Sequence, residues 1–336
     1  MKLLILGGTR FLGRHVAQQA LDAGHRVTLV HRGRSNAALF PQAEHRIADR
    51  DGDLAALDDG SWDSVIDTSA YVPRQVRAVA AKLAGRVGQY QMVSSISAYA
   101  GFAVGPTEDS PLATLADPAV ETLTGDTYGG LKVLCEQAAQ AGFAGHCLIP
   151  RPGLIVGPQD PSGRFTWWVQ RMARAAPGSE VIAPGRPDAP VQFIDGRDAA
   201  AWMLLQAERG STGIFNLTGP EAPLTMGTLL ETARDALAPD ARLTWVEESF
   251  VLGQGVTPWS DLPVWLPRAE EGLHRTDIGR ALAAGLRCRA LRDTLQDTAD
   301  WAAGPAPRAT AATAAPGLAP EREAALLAAW HASRAG

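Results

Sequence analysis

An α/β fold, with a doubly wound parallel sheet and a smaller, irregular C-terminal lobe, is predicted here by three observations. Short apolar runs alternate with helix-periodic segments through the first half of the chain, which is the pattern of β-α-β units. Those runs are almost continuously apolar rather than alternating, as strands covered on both faces must be. The first of them, residues 3–6, breaks at once into glycines and then into a helical pattern.

Taken in order, residues 3–6 read as a strand and 13–23 as a helix closed by Gly24. Residues 26–30 are the second strand and 46–48 a weaker third. A fourth strand at 63–67 precedes a helix at 74–83, and a fifth lies at 91–94. A long helix at 128–141 leads to a sixth strand at 146–149. Parallel strands joined this way require right-handed crossovers. Beyond Arg151-Pro152-Gly153 the pattern loosens, and Trp167, Trp168, Trp245, Trp259 and Trp265 appear among prolines. Regular pattern returns as a strand at 191–194, a helix at 198–207 and a strand at 214–217. Residues 302–319 are rich in Ala, Pro, Thr and Gly, the composition of a linker. Pro320 and the acids after it open a last helix.

Charge and cysteine content exclude several classes. The 336 residues carry a net charge of −5, which argues against a nucleic-acid partner. Cys135, Cys147 and Cys288 are scattered and odd in number, so neither a disulfide framework nor a zinc site is expected. The seven histidines show no metal-ligand spacing. No apolar run reaches the length of a transmembrane helix, and 3–6 is too short for a signal peptide. A cytoplasmic protein is expected.

The sharpest local signal is Leu6-Gly7-Gly8-Thr9-Arg10-Phe11-Leu12-Gly13. A strand, a glycine turn and a helix N-terminus make a cradle for a pyrophosphate, the Rossmann-type arrangement. Gly7 permits the tight turn and Gly13 close helix–strand packing. Arg10 stands where the middle glycine of the usual spacing belongs. The second strand ends in His31-Arg32-Gly33-Arg34, with no acid to bind a ribose 2′-hydroxyl. Three guanidiniums there favour a 2′-phosphate, hence NADP, with NAD as the alternative.

Tyr128 and Lys132 form Y-x-x-x-K, four residues apart on one helical face. A nearby ammonium, with the nicotinamide charge, is expected to lower the tyrosine pKa so that the phenol exchanges a proton with a carbinol. Ser95 follows the fifth strand, where open α/β sheets place ligands, and Ser94 and Ser97 are its rivals. Trp167 and Trp168 are expected to pack in a core. Arg151, Arg164, Arg171, Arg186 and Arg197 are candidates to meet anionic groups on a substrate.

The glycine loop, the serine, Y-x-x-x-K and Arg151-Pro152…Val156-Gly157-Pro158 together resemble the extended branch of the short-chain dehydrogenase/reductase superfamily, the NAD-dependent epimerase/dehydratase type. The string Gly8-Thr9-Arg10-Phe11-Leu12-Gly13 is similar to a subgroup that includes chloroplast stem-loop RNA-binding relatives. The resemblance implies a Ser95–Tyr128–Lys132 triad, with Ser95 preferred because the family's serine stands four residues before a tyrosine, here Tyr99. It also implies a six- or seven-stranded sheet, a C-terminal substrate lobe, frequent homodimers and a small-molecule substrate, most often a sugar nucleotide. The expected cofactor-binding set is Gly7, Thr9, Arg10, Phe11, Leu12, Gly13, His31, Arg32, Asp49, Tyr128 and Lys132. The expected division is a dinucleotide-binding domain at 1–154, with later sheet strands near 190–218. A substrate lobe at 155–189 and 219–301, a linker at 302–319 and a helix at 320–336 complete it. The expected function is oxidation, reduction or epimerisation at an alcohol or ketone carbon. The alternative is a dinucleotide-binding regulator or RNA-associated protein without turnover.

Overall fold

A computed structural model describes residues 1–304 and 315–335. The chain runs β1 (Lys2–Leu6), α1 (Phe11–Asp22), β2 (Arg26–His31), β3 (Glu44–Ile47), β4 (Trp62–Asp67), α2 (Pro73–Leu83), β5 (Val87–Met92), α3 (Gly125–Gly142) and β6 (Cys147–Pro152). It continues through β7 (Leu154–Val156), α4 (Arg164–Ala173), β8 (Glu180–Pro184), β9 (Pro190–Val191), β10 (Phe193–Asp195), α5 (Gly196–Arg209), β11 (Gly213–Leu217) and β12 (Leu224–Thr225). The remainder is α6 (Met226–Leu237), β13 (Arg242–Val246), α7 (Glu248–Gly253), α8 (Gly279–Ala283), α9 (Leu291–Ala303) and α10 (Pro320–Ala335).

Seven parallel strands form the central sheet in the order β11-β6-β5-β4-β1-β2-β3. The period-2 alternation of β1 sends Leu3 and Ile5 to one face and Leu4 and Leu6 to the other. The first face is covered by α1 and α5, the second by α2 and α3. All four of these β1 side chains are buried, which is why the strand reads as a solid apolar run. From β1 the chain winds outward to β2 and β3, then crosses back to β4. The order therefore reverses between β1 and β4, and a crevice opens at their carboxyl ends.

The strand expected near 190–194 does not join this sheet. β10 pairs with β7, and β9 with β12, as separate two-stranded ribbons. Only β11 extends the central sheet, beside β6.

The C-terminal lobe has its own core, in which α4, α6, α9 and α10 surround the parallel pair β8–β13. Trp167 and Trp168 both lie in it, packed edge-to-face, and the Trp168 indole donates to the Pro263 carbonyl at 2.5 Å. α10 docks through Leu326, Leu327 and Trp330, and its buried Glu323 accepts from Arg171 at 2.5 Å and from the Ile182 amide at 3.1 Å. Within the segment expected to be a linker, 302–303 end α9, and 305–314 lie outside the described residues. Among the described residues no helix is long and apolar enough to cross a membrane.

The turn from β1 into α1 shows why glycine is required there. Gly7 has φ +95°, and a Cβ on Gly13 would stand 2.4 Å from the Gly7 carbonyl oxygen. That oxygen is backbone and cannot swing aside. Gly13→Ala is expected to destabilise the protein by about 1–3 kcal/mol, read from urea denaturation. A loss below about 0.5 kcal/mol would mean that the loop relaxes freely.

Candidate active site

A cleft of about 580 Å³ lies at the carboxyl ends of the central strands. Its floor is the glycine loop. Gly7, Thr9, Arg10, Phe11, Leu12 and Gly13 all line it. Arg10 holds the N-cap position of α1 in extended conformation and makes no side-chain cap bond. The positive end of the α1 dipole points at the cleft from this position. Phe11, at the first helical position, has φ +34°, a strained value for a residue with a side chain.

At one end the wall is the turn after β2. His31 is buried and fully committed: its Nδ1 accepts from the Gly33 amide at 3.0 Å, and its Nε2 meets His45 Nδ1 at 2.8 Å. His45 Nε2 in turn reaches the Phe40 carbonyl at 3.1 Å. The direction of the Gly33 bond puts the proton of His31 on Nε2, which donates to His45 and links the two rings in one chain. Burial, then the neighbouring His45, push the His31 pKa down. Arg10, Arg32 and Arg34 line the same end, with Arg34 3.9 Å from Asp49. Beneath them Arg50 forks onto the buried Asp67 at 2.5 and 2.7 Å, and the Tyr90 hydroxyl adds a bond of 2.6 Å.

Ser95, Tyr128 and Lys132 also line the cleft. Ser95 caps the short turn Ile96–Ala98, accepting from the Ser97 amide at 3.1 Å, and lines the cleft with Tyr128. Lys132 is buried one helical turn beyond Tyr128, and its ammonium donates to the carbonyls of Ala70 and Val93, each at 2.7 Å. Burial pushes the Lys132 pKa down to about 8. Burial raises the Tyr128 pKa above the usual 10, and the neighbouring Ser95 only partly opposes this. Protein groups alone do not prepare this phenol to lose a proton at neutral pH.

The rival Ser94 is spent elsewhere. Its hydroxyl donates to Glu136 at 2.5 Å, one helical turn past Lys132. Glu136 also receives a fork from Arg151 at 2.9 and 2.6 Å, and Arg151 donates to the Tyr99 hydroxyl at 3.0 Å. Tyr99 passes the chain to Asn216 on β11 at 2.6 Å. Arg151 is thus a strut under the site and meets no substrate. Three more of the candidate arginines are also consumed by internal ion pairs: Arg171 by Glu323, Arg186 by Glu271, and Arg197 by Asp195 and Asp297. Arg164 lies over the Trp259 ring, 5.6 Å from its centroid.

Sequence reasoning missed Tyr71 and Arg50, which both line the cleft. Tyr71 had a usable signal, because an aromatic four residues past the fourth strand sits where this fold presents its ligands. Arg50 had none, since it follows β3 in a turn and its partner Asp67 ends β4.

The chain matches the model of the NAD dependent epimerase/dehydratase family over residues 3–218. No curated protein matches it. Among solved structures it resembles UDP-glucuronic acid 4-epimerase from Bacillus cereus in complex with NAD, at 15% identity and TM-score 0.65, over 90% of this chain and 96% of that one. UDP-glucose 4-epimerase from Thermotoga maritima with UDP-glucose is similar at 17% identity and TM-score 0.65, over 90% and 98%. UDP-N-acetylglucosamine 4-epimerase from Bacillus cereus is similar at 15% identity and TM-score 0.64, over 90% and 100%. With the family match spanning most of its 336 residues, this chain belongs to the NAD-dependent epimerase/dehydratase family of enzymes.

Proposed function

We propose that this enzyme acts on a secondary alcohol or ketone carbon of a sugar nucleotide, using Ser95, Tyr128 and Lys132 beside a bound nicotinamide dinucleotide. The observation that carries this reading is that Ser95, Tyr128 and the buried Lys132 ammonium line one cleft with the glycine loop. The residues present fit such a cofactor. The N-terminus of α1, which opens on the cleft, suits a pyrophosphate, and close packing at Gly13 lets backbone approach it. The dinucleotide supplies the hydride acceptor and donor when bound. Ser95 holds the substrate oxygen by hydrogen bond. The Tyr128 phenolate takes the proton from that oxygen, and the phenol so formed returns it when the carbonyl is reduced. Lys132 stabilises the phenolate through its field. Sugar nucleotides are favoured because the similar epimerases carry UDP-sugar substrates in their names. Incubation with UDP-glucose, UDP-glucuronic acid and UDP-N-acetylglucosamine, followed by chromatography for epimers, tests the substrate class. A protein saturated with dinucleotide that transforms none of them would overturn it.

The preferred cofactor in this reading is NADP. Arg10, Arg32 and Arg34 share the end of the cleft where His31, already engaged on both nitrogens, stands in place of an acid. Asp49 and Asp51 lie close by and draw on Arg34 and Arg32. One charge-assisted bond to a 2′-phosphate contributes roughly 1.5–3 kcal/mol, so NADPH is expected to bind at least about tenfold tighter than NADH. Fluorescence titration of both reduced cofactors checks this, with Arg32→Ala narrowing the gap. Equal affinities would put these guanidiniums in solvent.

A further inference from the structure

We propose that Tyr71 is a positioning residue of the reactive end of the cleft, where its aromatic face holds the Lys132 ammonium in place of a carboxylate. This rests on the role given to Lys132 above. Tyr71 follows β4 and lines the cleft, and it is 45% exposed although large and aromatic. Its amide donates to Gln75 Oε1 at 3.2 Å, which fixes the start of the loop, and the carbonyl of Ala70 just before it accepts from Lys132. The Lys132 Nζ sits 5.5 Å from the centroid of the Tyr71 ring, within cation–π range.

A buried ammonium normally takes an acid as partner. Several charged or titratable groups act on Lys132: Cys135 and Glu136 on its own helix, Asp67 at the end of β4, and Arg50 after β3. Both acids are engaged by other donors. Asp67 is held by Arg50 and Tyr90, and Glu136 by Arg151 and Ser94. Among the described residues Lys132 makes no ion pair with a carboxylate. Two carbonyls and an aromatic ring surround it. This choice of partners has a chemical consequence. A carboxylate in the ring's place would cancel the ammonium's positive charge. A π-face stabilises the ammonium and adds no net charge, so the charge needed for the role proposed for Lys132 is kept.

The test uses the whole chain without cofactor. Its 336 residues contain only three lysines, Lys2, Lys82 and Lys132, so NMR of protein labelled at the lysine ε-carbon resolves each titration. A cation–π contact favours the protonated form, so removing the face must lower the midpoint. The wild-type Lys132 midpoint is expected near 8. Tyr71→Phe keeps the face and is expected to leave that midpoint in place. Tyr71→Leu is expected to lower it by about half a unit or more, while Lys2 and Lys82 do not move. Dinucleotide affinity should follow the same order, with the Phe variant retained and the Leu variant weakened. Wild-type midpoints in both variants would overturn the proposal. Equal shifts in both would overturn it too, by assigning the effect to the hydroxyl. If the lysine titrations follow the expected order but no form binds a dinucleotide, the placement of Tyr71 stands and the functional reading falls.

Discussion

Tyr128→Phe is expected to lower turnover by about two to four orders of magnitude, the range general acid–base catalysis contributes. Dinucleotide affinity should stay within about twofold. The substitution removes only the hydroxyl that is proposed to carry the proton. The ring still fills its place on α3, and the Lys132 bonds to Ala70 and Val93 do not involve it. Steady-state rates combined with cofactor fluorescence titration separate the two effects. Near-normal turnover would remove Tyr128 from the chemistry. A parallel loss of affinity would make the hydroxyl a binding group rather than a proton carrier.

Breaking the Glu136–Arg151 pair is expected to have the largest effect on stability. Arg151 is fully buried, and its guanidinium bonds Glu136 twice and Tyr99 once. Arg151→Ala leaves the Glu136 carboxylate buried without its cation, a loss of about 3–5 kcal/mol. Arg151→Lys keeps the charge but not the planar fork, so it should fall between the two. The double replacement Glu136→Leu with Arg151→Met removes both charges and should cost less than Arg151→Ala alone. Urea denaturation of the four proteins orders them. A loss under about 1 kcal/mol in Arg151→Ala would mean that water reaches the carboxylate and replaces the pair. Ser94 donates to the same carboxylate, so the damaged variants should also lose turnover through the neighbouring Ser95.

What the sequence showed and what it hid separate along physical lines. The β1–α1 turn was legible because backbone geometry there admits only glycine, at Gly7 by its dihedral and at Gly13 by contact. The Tyr128–Lys132 pair was legible because helical spacing is local. The ion-pair partners of the arginines were not, since Arg171 meets Glu323 and Arg186 meets Glu271 only through tertiary folding. The ribbons at β9 and β10 misled for a similar reason, because runs of two or three residues carry no period to show which sheet they join. The regular helices of the lobe, such as α4, were obscured by the tryptophans and prolines around them. The sign of the Tyr128 shift depended on burial, which spacing does not encode.

That sign gives the most direct measurement of the central claim, that Tyr128 is the proton carrier made ready by Lys132 and a bound oxidised dinucleotide. Tyrosinate absorbs near 295 nm, and subtracting the Tyr128→Phe spectrum from wild type isolates one phenol. Without cofactor that phenol is expected to ionise above pH 10, because burial holds it there. Saturation with oxidised dinucleotide at pH 8 is expected to produce about one tyrosinate per chain in wild type and none in Tyr128→Phe, since the added positive charge and the lysine field favour the phenolate. A wild-type protein that binds the dinucleotide and shows no tyrosinate at pH 8 would contradict the claim.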